Sequence, residues 1–291
     1  MIRAVRSWLV GVGWLIGWRF ARLLPERWVR RGFEALSARK HRRNERARGI
    51  VRENLRPLVP PDRLDETVRE AFLWYGRYWA ETFRMADLSS SELDERFDVE
   101  GLDHIDRAYK EGRGVVLATP HLGNWDSGGR FVAERWPLTV VVETLRPRMV
   151  FDRFVDHRRG LGMTIIPLER GSDPTGTCLQ HLQAGEVIAL VADRDLSRSG
   201  VEVSLFGHSA KMPPGPAVLA LRAGAPLIAA AIYQRPDGTW LGRVLPPLPM
   251  PEPDAPDAVA QLTQRLADAF TELIRAEPAQ WHVFSPYWIT S

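Results

Sequence analysis

The chain has 291 residues, 45% of them hydrophobic, with a net charge of +3 and a single cysteine, Cys178. One cysteine excludes internal disulfides and thiolate metal sites, and it fits a reducing compartment. The length is enough to bury a full core, and the lack of a Ser/Gly linker, a repeat or a low-complexity segment favours one domain with an N-terminal appendage.

The positive charge is concentrated at the N-terminus. Residues 1–60 carry fifteen Arg or Lys against four Glu, so the rest of the chain is net acidic. Residues 8–24 are apolar and rich in Trp, but Arg19 and Arg22 interrupt them and leave an uncharged run too short to span a bilayer comfortably. No small-residue cleavage site follows, so we do not expect an export signal.

Val10, Trp14 and Trp18 are spaced four apart, and Trp together with Arg is typical of a membrane interface. We therefore predict that residues 1–60 form a basic, Trp-rich, amphipathic helical segment that associates with an anionic membrane surface. Two alternatives are that the helix packs on the protein's own core, or that its basic residues bind nucleic acid. No nucleic-acid motif appears, so we expect no nucleic-acid partner.

The remainder, residues 61–291, has the pattern of an α/β domain. A helix is predicted over residues 62–85, with an aromatic side that is either plain core or the lining of an apolar groove. Short apolar runs then alternate with helical patterns, which indicates a mixed, mostly parallel central sheet flanked by helices. Strands are predicted at 115–118, 138–142, 164–167, 187–192, 201–205, 227–233 and 239–245, and helices at 103–111, 124–136, 148–160, 174–184, 213–223 and 256–276.

Residues 112–130 carry the candidate chemistry. The apolar run 115–118 predicts a buried strand that Pro120 ends, so His121 lies at a carboxyl end, where open α/β sheets bind ligands. Asp126 follows in the first turn of the next helix. An imidazole with one nitrogen held by that carboxylate and the other facing a crevice is arranged as a general base. A histidine that only caps the turn fits the spacing equally well.

His181 also has an acid five residues on, Glu186. It falls inside the predicted helix 174–184, where residues five apart diverge around the axis. We therefore expect His181 to be a solvated or packed helix residue.

Other polar side chains follow strand and helix ends. Glu143 is either a ligand contact or a solvated acid, and Arg159 either caps its helix or reaches an anionic substrate. The strand 187–192 runs into a loop whose charges are costly to bury without partners, so the loop is expected to face the crevice. Arg194, Arg198 and Ser199 in this loop are the kind of groups that hold phosphates.

Four sequence blocks in this order resemble the bacterial late lipid acyltransferases, within the lysophospholipid acyltransferase superfamily. They are Thr-Pro-His121-Leu-Gly-Asn-Trp-Asp126, Arg159-Gly-Leu-Gly-Met163, Ala192-Asp-Arg-Asp195 and Pro213-Pro-Gly-Pro-Ala217. The chain is most similar to the phosphatidylinositol mannoside branch, because Asp-Arg-Asp-Leu-Ser-Arg-Ser-Gly replaces the Asp-Gln-Asp-Tyr-Gly type of loop of the lipid A enzymes. The likeness covers roughly residues 1–290.

This resemblance implies an O-acyltransferase with acyl-CoA as co-substrate, no other cofactor and no metal. The acceptor would be a mannose hydroxyl of a phosphatidylinositol mannoside, at the cytoplasmic face of the plasma membrane, with the enzyme peripheral or monotopic. It implies His121 as the base and Asp126 as its partner, with Arg159 and the loop from Asp193 to Ser199 binding substrate or the CoA phosphates. We add Glu143 as a candidate contact to the acceptor.

The chemistry fits that assignment. A sugar hydroxyl is a poor nucleophile that needs a base, whereas a thioester is already activated, so direct transfer without an acyl-enzyme is expected. The backbone amides near Gly123 and Asn124 are candidate oxyanion donors. The alternatives are a lipid A-type enzyme that uses acyl carrier protein, and a non-catalytic membrane-binding homologue.

Overall fold

The computed structural model describes residues 2–144, 146–169, 171–195, 200–252 and 255–289, with the backbone alone for residues 2–7, 9 and 10. The helices of this part are α1 (Ile2–Leu23), α2 (Glu26–Arg43), α3 (Glu45–Leu55), α4 (Leu64–Arg84), α5 (Ser90–Glu95), α6 (Leu102–Lys110), α7 (Trp125–Ala133), α8 (Arg148–Gly160), α9 (Pro174–Gln183), α10 (Gly215–Ala223) and α11 (Ala258–Ala276). The strands are β1 (Phe97–Glu100), β2 (Val115–Thr119), β3 (Leu138–Glu143), β4 (Thr164–Leu168), β5 (Val187–Val191), β6 (Val201–Leu205), β7 (His208–Met212), β8 (Leu227–Gln234) and β9 (Trp240–Val244).

The main sheet has the strand order β1-β9-β8-β2-β5-β3-β4. The strands β8, β2, β5, β3 and β4 pair in parallel. β9 runs antiparallel to β8, and β1 pairs in parallel with β9, so these two strands run the opposite way. β6 and β7 form a separate antiparallel hairpin. The predicted α/β class with a mixed, mostly parallel sheet is confirmed.

Helices cover both faces of the sheet. Successive side chains of a strand point to opposite faces, so the apolar strands need a helical layer on each side. All five residues of β2 are buried. Val116 and Ala118 belong to a core cluster that includes side chains of α4, α10 and α11. Val115 and Leu117 belong to another, which includes side chains of α6, α7 and α8. Reactive polar side chains near β2 can therefore reach a substrate only beyond the end of the strand.

Two short strands were not predicted from the sequence. β7 has the mostly polar sequence His-Ser-Ala-Lys-Met. It is a strand because the chain folds back and pairs it with β6, with Val203 opposite Ala210. β1 is four residues long and is held at the sheet edge by β9. In both strands the pairing partner, rather than an apolar run, determines the structure.

The helix α1 packs on the protein through part of its surface. Trp18 is 2% exposed, stacks on Phe83 with ring centroids 4.6 Å apart, and donates its indole N–H to the Phe83 carbonyl at 3.1 Å. Trp14 is half-buried, with its ring 4.9 Å from that of Trp79. Trp14 and Trp18, which we expected at a membrane interface, thus contact the core instead, because α4 presents aromatic rings that cover them.

The rest of α1 and α2 exposes apolar side chains. Of the ten exposed large apolar side chains among the described residues, seven lie between residues 8 and 36, namely Trp8, Ile16, Phe20, Leu23, Leu24, Trp28 and Leu36. None of the described helices combines the length and the hydropathy that a bilayer crossing requires.

Candidate active site

His121 and Asp193 meet at the carboxyl edge of the sheet. β2 and β5 are parallel neighbours with Thr119 opposite Val191. His121 and Asp193 each follow two positions after those residues, so the pairing brings their side chains together. His121 Nδ1 lies 2.5 Å from Asp193 Oδ1. We call this pair the dyad.

The dyad combines a buried carboxylate with a partly open imidazole. The Asp193 side chain is fully buried, and the His121 side chain is 24% exposed. Burial alone would raise the pKa of the Asp193 carboxyl, but its contacts with His121 and the Trp281 indole hold that pKa below its ordinary value. The ionised Asp193 therefore accepts the Nδ1 proton of His121 and leaves Nε2 for a substrate.

Asp126 does not bind His121, which corrects the expected pairing. Asp126 Oδ1 accepts from Arg158 Nε at 2.7 Å, and Oδ2 accepts from the Tyr78 hydroxyl at 2.9 Å. It is Trp125 that lies beside His121, with ring centroids 5.2 Å apart. Adjacent helix residues point about 100° apart, so Trp125 and Asp126 of α7 cannot both face the imidazole.

Asp126 forms a buried ion pair with Arg158 and also accepts a hydrogen bond from the Tyr78 phenol. Burial alone would raise the pKa of Asp126, but the Arg158 guanidinium holds it below its ordinary value, so the carboxyl stays ionised. Burial and the Asp126 charge raise the pKa of Tyr78 well above its ordinary value, which keeps the phenol protonated as a donor. This arrangement joins α4, α7 and α8 next to the dyad.

The turn after His121 is closed by backbone hydrogen bonds. Gly123 N donates to Gln280 O at 2.9 Å, and Asn124 N donates to Ile232 O at 3.0 Å. Gly123 has a φ of +60°, and a Cβ there would overlap the Ile232 carbonyl oxygen, so only glycine fits. Both amides are already in use, and the expectation that they bind an oxyanion is wrong.

Two predicted substrate contacts lie apart from the dyad. Glu143 is exposed at the end of β3, and Arg159 is exposed near the end of α8. Within the described residues, no hydrogen bond or ion pair joins either of them to His121 or Asp193. The preceding residue, Arg158, is the one that turns inward to Asp126.

The loop after β5 is partly described. Arg194 donates to Ser285 Oγ at 3.0 Å, and Asp195 Oδ2 accepts from Gly200 N at 2.9 Å. The predicted contacts Arg198 and Ser199 lie outside the described residues.

An apolar cavity lies between the sheet and the helices α6 and α7. Its walls include Leu117, Phe131 and Ile232, and its polar lining comes from Thr119, Asp126 and Arg158 near Trp125. Gly128 lets α7 approach the sheet, since a Cβ there would lie 2.5 Å from Ile232 Cδ1 of β8. No described residue of α4 lines this cavity. On the aromatic side of α4, Phe72, Tyr78 and Phe83 are buried in the core. His121 and Asp193 are not among the residues that line this cavity, and Trp125 is the lining residue whose ring lies beside that of His121.

His282 is a buried imidazole that was not predicted as part of the site. Its backbone N donates to His121 O at 2.7 Å, and its ring lies 5.4 Å from that of Tyr75. Burial, and then the nearby His121, lower the pKa of His282 to about 3, so it stays neutral. Neither ring nitrogen has a hydrogen-bond partner among the described residues.

A second His–carboxylate pair lies at the other end of the parallel strands, where they begin. His181 Nδ1 is 2.7 Å from Glu186 Oε2, where β5 begins. His181 is a partly buried residue of α9, as expected, but it does not diverge from Glu186, because Gly185, with a φ of +81°, turns the chain and returns Glu186 to the ring. Among the described residues, no group of three or more His, Cys, Asp and Glu is placed to hold a metal ion.

The chain is similar to known acyltransferases. A model of the family described as bacterial lipid A biosynthesis acyltransferase matches residues 1–290. A phosphatidylinositol mannoside acyltransferase of Mycolicibacterium smegmatis is 40% identical over 96% of this chain and 91% of its own length. One of Mycobacterium tuberculosis is 38% identical over 99% of this chain and 90% of its own. A lipid A biosynthesis palmitoleoyltransferase of Escherichia coli is 25% identical over 66% of this chain and 63% of its own.

The Asp126–Arg158 pair predicts a stability effect. Asp126→Asn should lower the free energy of unfolding by about 3 kcal/mol, because it leaves the Arg158 charge without its partner in a mostly buried place. The double variant Asp126→Asn/Arg158→Met should lose less than the sum of the two single changes. Urea denaturation of all variants at pH 7.5 measures both effects.

A matched pair on the exposed side of α8 provides the control. Arg148 Nε also lies 2.7 Å from an aspartate oxygen, that of Asp152, but these side chains are 62% and 52% exposed. Asp152→Asn should cost less than about 1 kcal/mol. Equal losses from Asp126→Asn and Asp152→Asn would contradict the assignment of a buried ion pair.

Proposed function

This chain belongs to the bacterial lipid A biosynthesis acyltransferase family, and from that membership we propose that it acylates a phosphatidylinositol mannoside. The group transferred is a long-chain fatty acyl group, palmitoyl in this proposal, from acyl-CoA to a mannose hydroxyl. The observation that carries the proposal is the dyad, a partly open imidazole on a buried carboxylate beside an apolar cavity.

The choice of acceptor is supported by the relatives. The two phosphatidylinositol mannoside acyltransferases align over almost all of this chain at 40% and 38% identity, against 25% over 66% of it for the lipid A enzyme. The loop 193–200 also has the sequence of the mannoside branch rather than that of the lipid A branch.

In the proposed reaction His121 is the general base. Its Nε2 takes the proton of the sugar hydroxyl as the oxygen attacks the thioester carbonyl, and the Asp193 carboxylate stabilises the imidazolium that forms. When the tetrahedral intermediate collapses, the C–O bond remains, the C–S bond breaks, and the imidazolium returns the proton to the thiolate sulfur. Asp193 takes the place that the sequence had given to Asp126.

No enzyme nucleophile is needed in this scheme, because the thioester is already activated. Cys178 is 1% exposed, and burial followed by the Asp173 charge raises the pKa of its thiol to about 11, which keeps it protonated. The acyl chain would lie in the apolar cavity, and the polar lining near Trp125 would face the thioester. These features support direct transfer.

The proposed place of action is the cytoplasmic face of the plasma membrane, with the chain bound peripherally. The exposed apolar side chains of α1 and α2 support contact with the bilayer, and the excess of arginine in residues 1–60 supports attraction to anionic headgroups.

Replacement of His121 tests the chemistry. His121→Ala should lower palmitoyl transfer to a phosphatidylinositol mannoside by at least about 100-fold, because the hydroxyl loses its base. His181→Ala is the matched control, since His181 also pairs with a carboxylate and its side chain is 26% exposed against 24% for His121. Mass spectrometry of the acylated lipid measures both variants.

The outcomes separate the alternatives. Full activity of His121→Ala, or an equal loss in His181→Ala, would refute the role of the dyad. Transfer from acyl carrier protein but not from CoA would favour the lipid A-type donor. A wild-type chain that binds vesicles but transfers no acyl group from either donor would favour a non-catalytic homologue.

Replacement of exposed apolar residues tests membrane binding. The triple variant Phe20→Ser/Leu23→Ser/Trp28→Ser should weaken sedimentation with anionic vesicles by at least about tenfold, because less apolar surface enters the bilayer. Its turnover of a soluble short-chain donor should be unchanged.

The control removes exposed apolar side chains elsewhere. Leu168→Ser/Met250→Ser/Ile289→Ser changes residues that are 44%, 42% and 40% exposed. If both triple variants bind vesicles alike, the N-terminal helices are not the membrane contact.

A further inference from the structure

The segment after α11 contacts both members of the dyad. Leu122 pairs with Trp281 in an isolated antiparallel bridge, and His282 N donates to His121 O at 2.7 Å. The Tyr287 hydroxyl donates to the backbone oxygen of Asp193 at 2.6 Å. Residues 281–287 thus lie against the two strand ends that carry the dyad.

One side chain of this segment reaches the reactive carboxylate itself. Trp281 Nε1 donates to Asp193 Oδ2 at 2.8 Å, while Oδ1 is on His121 Nδ1 at 2.5 Å. Trp281 is 2% exposed, and its ring packs 4.8 Å from that of Tyr287. The packing around the indole therefore fixes its position independently of its hydrogen bond to the carboxylate.

A carboxylate can rotate about its bond to Cβ, and rotation would move Oδ1 away from the imidazole. An N–H donor fixed on the second oxygen opposes that rotation, and it satisfies an acceptor that burial removes from bulk solvent. We infer that Trp281 is a positioning residue for the proposed transfer: its indole N–H holds Asp193 Oδ2 so that Oδ1 stays on His121. This inference rests on the proposed function of the dyad.

The groups facing the dyad make pH a clean measure of this role. Among the described residues they are His282, Tyr287 and Arg194, together with Tyr78 and the Asp126–Arg158 ion pair. Burial lowers the pKa of His282 to about 3 and raises the pKa values of Tyr287 and Tyr78 well above their ordinary value, while the Arg158 guanidinium holds the pKa of Asp126 below its ordinary value. None of them changes charge between pH 5 and pH 8, so the acid limb of the pH–rate profile reports proton uptake by the dyad.

Two variants of Trp281 separate the donor from the ring. Trp281→Phe keeps an apolar ring and removes the N–H, so kcat should fall about tenfold with KM unchanged. Without its donor the carboxylate is a stronger base, so the acid limb should move to higher pH by about half a unit or more. Trp281→Gln loses the ring but keeps an N–H of similar reach, and its acid limb should match wild type.

The matched control is Trp288→Phe. Trp288 lies in the same segment and donates its indole N–H to the backbone oxygen of Glu53 at 3.2 Å, away from the dyad. Its acid limb should be unchanged. A second measurement does not require turnover: NMR titration of the histidine carbon signals follows protonation of the dyad directly. The His121 signal is identified by its loss in His121→Ala.

The outcomes distinguish this inference from the proposed function. An unmoved acid limb in Trp281→Phe, or the same displacement in Trp281→Gln or Trp288→Phe, overturns the positioning role. If Trp281→Phe does not fold, Trp281→Gln decides alone, because a displaced limb in it overturns the role and a wild-type limb supports it. If the wild-type chain transfers no acyl group, the proposed function fails, and the NMR titration of the same variants still decides the role of Trp281.

Discussion

The parallel pairing of β2 with β5 is the constraint on which the site depends. It places Thr119 opposite Val191 at the ends of the two strands. Two residues further along each chain segment, the side chains of His121 and Asp193 meet, although they are 72 positions apart in sequence. All five residues of β2 are buried, and those of β5 are buried or half-buried, so the register cannot slip without turning apolar side chains away from the core. The stability of the sheet interior is therefore what fixes the geometry at its edge.

Two buried carboxylates lie next to this edge, and their surroundings give them different roles. Asp126 is held by the guanidinium of Arg158, which compensates its charge inside the protein. Among the described residues no arginine or lysine pairs with the Asp193 carboxylate oxygens, which accept from the His121 imidazole and the Trp281 indole. A carboxylate that accepts from neutral N–H donors can stabilise a positive charge when one forms on the imidazole, whereas Asp126 already faces the permanent charge of Arg158.

Much of the fold could be predicted from the sequence, because apolar runs, glycine turns and prolines mark its elements locally. The strand 115–118 and the helix 148–160 were found within one residue of their observed ends. The strand order and register could not be predicted, since they depend on contacts between distant segments. For that reason His121 was identified, but its partner was sought five residues away rather than on β5. Arg158 was not identified as part of the site, because only the packing of α8 shows that it, rather than Arg159, faces inward.

The most direct measurement is the NMR signal of the His121 Nδ1 proton in nitrogen-15 histidine-labelled chain, compared among wild type, Asp193→Asn and Asp126→Asn. A short hydrogen bond to Asp193 should give a strongly downfield proton that is lost in Asp193→Asn and kept in Asp126→Asn. A signal that survives in Asp193→Asn and disappears in Asp126→Asn would contradict the account, because Asp126 would then be the partner of the imidazole.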